Sequence, residues 1–212
     1  MNLKIILVDD HEVVRKGLRQ IIVDEFPKAD IMEADSAEEA IKIIRKEKFD
    51  LVISDISMSG RSGIDLVKQL HEELPSLPVL ILSMHNENQY AMRVIKAGAS
   101  GYLTKDSASL ELIKAIKQIL SGRKYISPAV AELLAENFSD SHAQATHESL
   151  SDREFEVLKL IGAGKSVSEI GDDLSLGVTT ISTYRARILD KMKLQTNADI
   201  IRYVIENGLL NK

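Results

Sequence analysis

The stretch "KIILVDDHE", residues 4–12, decides the fold. Ile5 to Val8 are continuously apolar, as in a strand buried on both faces. Asp9 and Asp10 follow at once, two like charges at the mouth of a core with no basic residue beside them. The strand pattern recurs at Asp30–Ala34, Leu51–Ser54, Val79–Ser83 and Gly101–Thr104. Between these runs, apolar residues return at helical spacing. Val14, Leu18, Ile21 and Ile22 make one helix face, Val67, Leu70 and Leu74 a second, and Ile113, Ile116 and Leu120 a third. Alternating strands and helices predict an α/β domain, a doubly wound five-stranded parallel sheet with helices on both sides. The first and third strands are the most continuously apolar, which places them centrally.

Composition narrows the class. The chain has 212 residues, 44% hydrophobic and 28% charged, an ordinary globular balance. It has no cysteine, which excludes thiol catalysis, a disulfide scaffold and cysteine-ligated zinc. No apolar run approaches the roughly 18 residues of a membrane span. No basic segment followed by a long apolar stretch opens the sequence, so a cytoplasmic protein is expected. The net charge of −5 argues against nucleic-acid binding by the chain as a whole and leaves that role to a local patch.

The sequence divides into residues 1–124, a linker at 125–148 and residues 149–212. The linker contains a predicted helix over 127–138, with Pro128 in its first turn, and the polar tract "SDSHAQATH" at 139–147. Beyond it the strand signal disappears and an all-α domain is expected.

In an open parallel sheet, functional groups gather beyond the carboxyl ends of the strands. Strand one ends in Asp9 and Asp10, strand three in Asp55, strand four in Ser83 and strand five in Lys105. Three close carboxylates repel unless a cation joins them, and oxygen ligands with spare water positions suit Mg²⁺. A metal-clamped carboxylate beside a lysine and a hydroxyl is a phosphoryl-acceptor site, with Asp55 attacking phosphorus. Each residue alone reads as a cap, turn or surface residue; the ordered set does not.

Residues 1–124 resemble the receiver domain of bacterial two-component response regulators. The resemblance implies the flavodoxin-like strand order 2-1-3-4-5. It implies Asp55 as the phosphorylated residue, Asp10 as a direct Mg²⁺ ligand and Asp9 as a ligand through water. The Ser57 backbone carbonyl would complete the protein ligands. Ser83 becomes the switch hydroxyl, Lys105 the phosphoryl-binding lysine and Tyr102 the switch aromatic. Ser57 and His85 stand where the family tunes phosphoryl lifetime. One departure is "DISMSG", residues 55–60, where Ser59 replaces the family's usual proline and a φ constraint is lost. Metal-dependent phosphohydrolases of similar topology place a second Asp two residues after the first. Here His11 and Ser57 stand at that spacing, so no enzyme is expected.

"IGAGKSVSEIG", residues 161–171, imitates a P-loop but has Lys159 where the first glycine is required. Gly162 and Gly164 instead end one helix, and Ser166 with Glu169 starts the next as a capping box, as Ser151 and Glu154 do earlier. A first helix burying Phe155, Leu158 and Ile161 leads to a second burying Ile170 and Leu174. The turn "SLGV" leads to a third with Ile181, Tyr184, Ile188 and Met192 inward. This is helix-turn-helix geometry. Residues 149–212 resemble the DNA-binding domain of the NarL/FixJ, or LuxR-type, regulators. The outward face includes Thr179, Ser182, Thr183, Ala186 and Arg187. Ser182, Thr183 and Ala186 fall at the family's base-facing positions and are small, so readout by a serine hydroxyl, thymine-methyl contacts and groove shape is expected. Thr180, Arg185, Arg187 and Lys191 are candidates for phosphates. Many relatives have lysine at the place of Thr179.

The expected function is a phosphorylation-activated transcription regulator. Its expected partners are promoter DNA and a sensor histidine kinase, with a homodimer forming on phosphorylation and RNA polymerase as a candidate further partner. The alternative is an atypical regulator that binds DNA independently of phosphorylation.

Overall fold

A computed structural model describes residues 3–58, 60–84, 87–132 and 147–210. The chain forms two compact units, Met1–Glu136 and Asn137–Lys212. The first is built on five parallel strands, β1 (Lys4–Val8), β2 (Asp30–Ala34), β3 (Leu51–Asp55), β4 (Val79–Ser83) and β5 (Gly101–Thr104), in the order 2-1-3-4-5. Helices α1 (Glu12–Glu25), α2 (Ala37–Ile44), α3 (Gly63–Glu73), α4 (Glu87–Lys96) and α5 (Lys105–Leu120) follow the strands in turn. Every residue of β3 and β4 is buried, as expected where a parallel sheet is covered on both faces.

Strand alternation sorts the core. Ile5, Leu7, Leu51, Ile53, Leu80, Leu82 and Leu103 share one face and pack with Leu18 and Ile22 of α1 and with Leu112, Ala115, Ile116 and Ile119 of α5. Ile6, Val8, Val52, Ile81 and Tyr102 have the opposite parity and are equally buried. Two predicted core residues are not core. Leu74 caps α3 and Leu120 ends α5; each stands at the end of its helix and is 38% exposed.

The chain after α5 does not leave the unit at residue 125. Tyr125 donates its N–H to the Ser100 carbonyl at 2.8 Å and bridges Gly101 beside β5. Tyr125, Ser127 and Val130 are buried. The start of the expected linker thus covers an otherwise open sheet edge. Helix runs from Pro128 to Glu132, and the rest of the predicted 127–138 helix, with the tract 139–146, lies outside the described residues.

The second unit has four α-helices among its described residues, α6 (Asp152–Gly162), α7 (Val167–Leu174), α8 (Val178–Met192) and α9 (Asn197–Glu206), preceded by a 3-10 turn at His147–Ser149. Capping boxes at Ser151/Glu154, Ser166/Glu169 and Thr196/Asp199 start three of them. Phe155, Leu158, Ile161, Ile170, Ile181, Ile188, Met192, Ile200 and Val204 form the core. Leu174 and Tyr184, expected inward, are half-buried. At Gly162 a Cβ would lie 2.4 Å from the Val204 side chain, so α6 and α9 cross where no larger residue fits.

Candidate functional site

The carboxyl ends of β1, β3 and β5 build an acidic pocket. Asp9, Asp55 and Lys105 continue the parity of Leu7, Ile53 and Leu103, so the pleat directs them to one side of the sheet. The Lys105 ammonium donates to Asp9 Oδ2 at 2.7 Å and to Asp55 Oδ2 at 2.9 Å. Asp9 and Asp55 are 2% and 4% exposed, which makes this a buried charge cluster. Asp55 Oδ1 accepts the Ile56 N–H at 2.8 Å, which fixes the rotation of the carboxylate.

The electrostatics follow from that burial. Desolvation pushes the Asp55 carboxyl above its ordinary range, the Lys105 hydrogen bond opposes it, and the Asp9 charge adds to the rise. Burial alone would lower the Lys105 ammonium, but its hydrogen bonds to Asp9 and Asp55 outweigh that and hold it above its usual value.

Asp10 is one-quarter exposed and lies at the rim. His11 joins the cluster: its Nδ1 is 2.7 Å from Asp10 Oδ1 and 3.2 Å from Asp9 Oδ1. One donor atom from each of Asp9, Asp10, His11 and Asp55 lies within 4.8 Å of the others. That spread is close to twice a metal–oxygen bond of about 2.1 Å. The donor set therefore fits a divalent cation, and Lys105 already supplies positive charge between two of its members. Arg15 donates to the Asp9 backbone carbonyl and ties α1 to the same loop.

Ser83 is fully buried at the end of β4 and Tyr102 is 1% exposed on β5. Ile81 pairs with Tyr102 and Ser83 with Thr104, so Ser83 and Tyr102 lie on one face of adjacent strands, diagonal to each other. Ser57 is exposed and next to the buried Met58; Ser59 and His85 lie outside the described residues.

In the second unit, α8 presents Thr179, Thr180, Ser182, Thr183, Ala186 and Arg187 to solvent. Its cations are not equivalent. Lys191 donates to the buried Glu154 at 2.6 Å, and Arg185 donates through Nε to Asn197 Oδ1 at 2.5 Å. Both are tied into the unit, where the sequence suggested phosphate contacts. The Thr183 hydroxyl donates to the Thr179 carbonyl at 2.9 Å.

Neither His11 as a member of the pocket nor α9 in the second unit is among the features expected from the sequence pattern. A "TNAD" cap at residues 196–199 was the available signal for α9.

Residues 5–117 match the response regulator receiver domain family, and residues 148–204 match the bacterial regulatory proteins of the luxR family. Response regulator GacA of Pseudomonas aeruginosa is 31% identical over 210 residues, covering 99% of this chain and 98% of its own. Response regulator UvrY of Escherichia coli K12 is 32% identical, with 99% and 96% covered. A Salmonella typhimurium RcsB structure superposes with a TM-score of 0.70 at 26% identity, covering 97% and 98% of the chains. An RcsB–DNA complex superposes with a TM-score of 0.59, also at 26% identity, covering 97% and 98%. With both domains matched and full-length relatives above 30% identity, the chain belongs to the two-component response regulators that join a receiver domain to a LuxR-type helix-turn-helix domain.

Proposed function

We propose that this protein is a DNA-binding transcription regulator switched by phosphorylation of Asp55, with a sensor histidine kinase as the phosphoryl donor. The observation that carries the reading is the Lys105 bridge to Asp9 and Asp55 at 2.7 and 2.9 Å. An attacking carboxylate must be ionised, held still and accompanied by positive charge. Lys105 opposes the effect of burial on Asp55, and the Ile56 N–H fixes the carboxylate. In the transfer an O–P bond forms at Asp55 while the donor's N–P bond breaks and the imidazole nitrogen keeps the electron pair. Asp9, Asp10, Asp55 and the Ser57 carbonyl are the candidate holders of Mg²⁺, which when bound neutralises charge on the phosphoryl oxygens. Lys105 then follows the negative charge outward to those oxygens.

Ser83 is the hydroxyl placed to donate to the phosphoryl group, and Tyr102 is the neighbour placed to respond. Phosphorylation shifts an existing equilibrium toward a dimer that binds promoter DNA. The complex of two RcsB dimers with two DNAs supports the dimeric reading. On α8, Ser182, Thr183 and Ala186 are the candidate base readers and Arg187 the foremost candidate for a phosphate, with Thr179 and Thr180 beside it. Arg185 and Lys191 position the helix from within the unit. No helix among the described residues is long and apolar enough to cross a membrane.

Intact mass after incubation with Mg²⁺ and acetyl phosphate tests the chemistry. A gain of one phosphoryl group, absent in Asp55→Ala, is expected. A gain retained in Asp55→Ala would move the acceptor elsewhere. DNA binding that is equal with and without the phosphoryl group would overturn the switch.

A further inference from the structure

We infer that residues 124–130, just after α5, form a strap that carries the response of β5 to phosphorylation into the linker. The inference rests on the reading of Asp55 as the switch. The strap starts at Lys124, whose carbonyl accepts the Gln118 side-chain amide at 2.7 Å. Tyr125 then runs parallel to β5, bridging Gly101 and donating its N–H to the Ser100 carbonyl at 2.8 Å. Its hydroxyl donates to Glu111 Oε2 at 2.8 Å, and Lys114 Nζ lies 6.0 Å from its ring centroid. Tyr125 is thus pinned to both β5 and α5. Beyond it, Ser127 Oγ accepts the Val130 N–H at 3.2 Å, and both residues are buried.

Gly101 sets how closely strap and strand approach. A Cβ there would lie 3.1 Å from both the Cβ and the carbonyl oxygen of Tyr125. Packed carbon atoms ordinarily stay about 3.5 Å apart or more, so the bare glycine lets the strap close on the strand. The next residue is Tyr102, buried on the face that Ser83 shares. A change at Tyr102 therefore has one peptide bond to cross before it reaches Gly101 and Tyr125. Close-packed segments pass on a displacement because they have no void to absorb it. A shift of Tyr102 moves the Ser100–Gly101 backbone, and with it the hydrogen bond that holds Tyr125. Protection of the β5 edge alone would need none of the ties to α5.

The chain has no cysteine, so a reversible lock can be added cleanly. Gly101→Cys with Tyr125→Cys removes the tyrosine and, once oxidised, ties strap to strand. The two Cβ atoms would start 3.1 Å apart, and a disulfide needs about 3.8 Å, so a small outward shift closes the bridge. DNA binding of the full-length proteins would be read by fluorescence anisotropy. The probe is a duplex of about 30 base pairs, three helical turns, selected from a random pool by the phosphorylated parent protein. Phosphorylation is expected to tighten binding about tenfold or more in the parent, less than about twofold in Tyr125→Ala and the reduced double variant, and by the parental factor again after oxidation. Every protein is expected to gain one phosphoryl group from acetyl phosphate by intact mass. Parental tightening in Tyr125→Ala and the reduced variant would leave the strap a cover for the sheet edge and overturn its role. So would a loss that oxidation does not restore, or a loss of phosphorylation itself. A pool that yields no duplex, or equal affinity of the parent in its two forms, would instead sink the switch on which the inference rests.

Discussion

Lys105 and Lys159 respond to burial in opposite ways. Lys105 is held above its ordinary value because Asp9 and Asp55 more than offset desolvation. Removing it leaves two carboxylates, both nearly buried, facing each other. Lys105→Ala should cost about 3 kcal/mol at pH 7, read as a lower urea midpoint by circular dichroism. The deficit should shrink in Mg²⁺, since a cation that binds the native pocket stabilises it. Lys159 on α6 is 8% exposed, and burial lowers its ammonium to about 8, with the Glu156 charge opposing the shift. Between about pH 8 and 10 the unfolded chain therefore binds more protons at this site than the native chain does, so stability rises with pH across that window. Below pH 8 the charged ammonium is buried at a cost. Lys159→Met should gain up to about 3 kcal/mol at pH 7 and lose the rise, which urea midpoints of both proteins at pH 7 and pH 10 would report. The pocket's carboxylates and Lys105 were legible because each stands where an apolar run stops. The position of His11 was not, because it depends on how the chain turns after β1, which no periodicity encodes. The burial of Lys159 was hidden for a similar reason: it follows Leu158 on a helix that packs against α9, the fourth helix of the unit, which lay outside the predicted helices.

At the scale of elements, the junction of β3 and α3 is the tightest constraint on Asp55, the proposed phosphoacceptor. The Gly63 N–H donates to the Ile56 carbonyl at 2.9 Å, and a Cβ at Gly63 would lie 2.1 Å from the Asp55 carbonyl oxygen. No side chain fits unless the helix start or the strand end moves. Gly63→Ala should slow phosphorylation by acetyl phosphate by about tenfold and destabilise by about 2 kcal/mol. A variant phosphorylated at the parental rate would show that Asp55 tolerates the shift. The strands could be read from the sequence because full burial leaves an unbroken apolar run. Helix ends could not: Leu74 and Leu120 keep the period of their helices but stand at the helix ends, where they are left partly exposed. Helix α8 shows what patterning can give at a surface. Its inward residues followed from spacing, whereas the ties of Arg185 to Asn197 and Lys191 to Glu154 cross between helices and needed the packed unit. The Thr183 hydroxyl proton is committed to the Thr179 carbonyl, so in the proposed base readout the methyl is the group left to meet thymine. Thr183→Ser should relax preference at one base pair by about 1 kcal/mol while preserving affinity for mismatched sites. Weakening that is uniform across a panel of operator variants would remove Thr183 from base readout.

For the whole molecule, a net charge of −5 sets the terms of DNA binding. The chain as a whole is repelled by DNA, so affinity must come from a few local cations and, in the proposed function, from pairing two copies. Lys191, Arg185, Lys165 and Arg202 are engaged by Glu154, Asn197, Asp173 and Asp199. Arg187 is exposed, and among the described residues it makes no ion pair. Each phosphate neutralised adds about 0.9 to the slope of log affinity against log salt. If Arg187 meets one phosphate per subunit, Arg187→Ala should flatten the slope by about one unit for a bound monomer and by about two for a bound dimer. The measurement is fluorescence anisotropy on one operator-length duplex over a series of salt concentrations, with the protein unmodified and phosphorylated. A change of about two units in the phosphorylated form alone would tie dimeric binding to the phosphoryl group, through a residue far along the chain from Asp55. The same change in both forms would mean that pairing on DNA does not need the phosphoryl group, and an unchanged slope would assign Arg187 to another role.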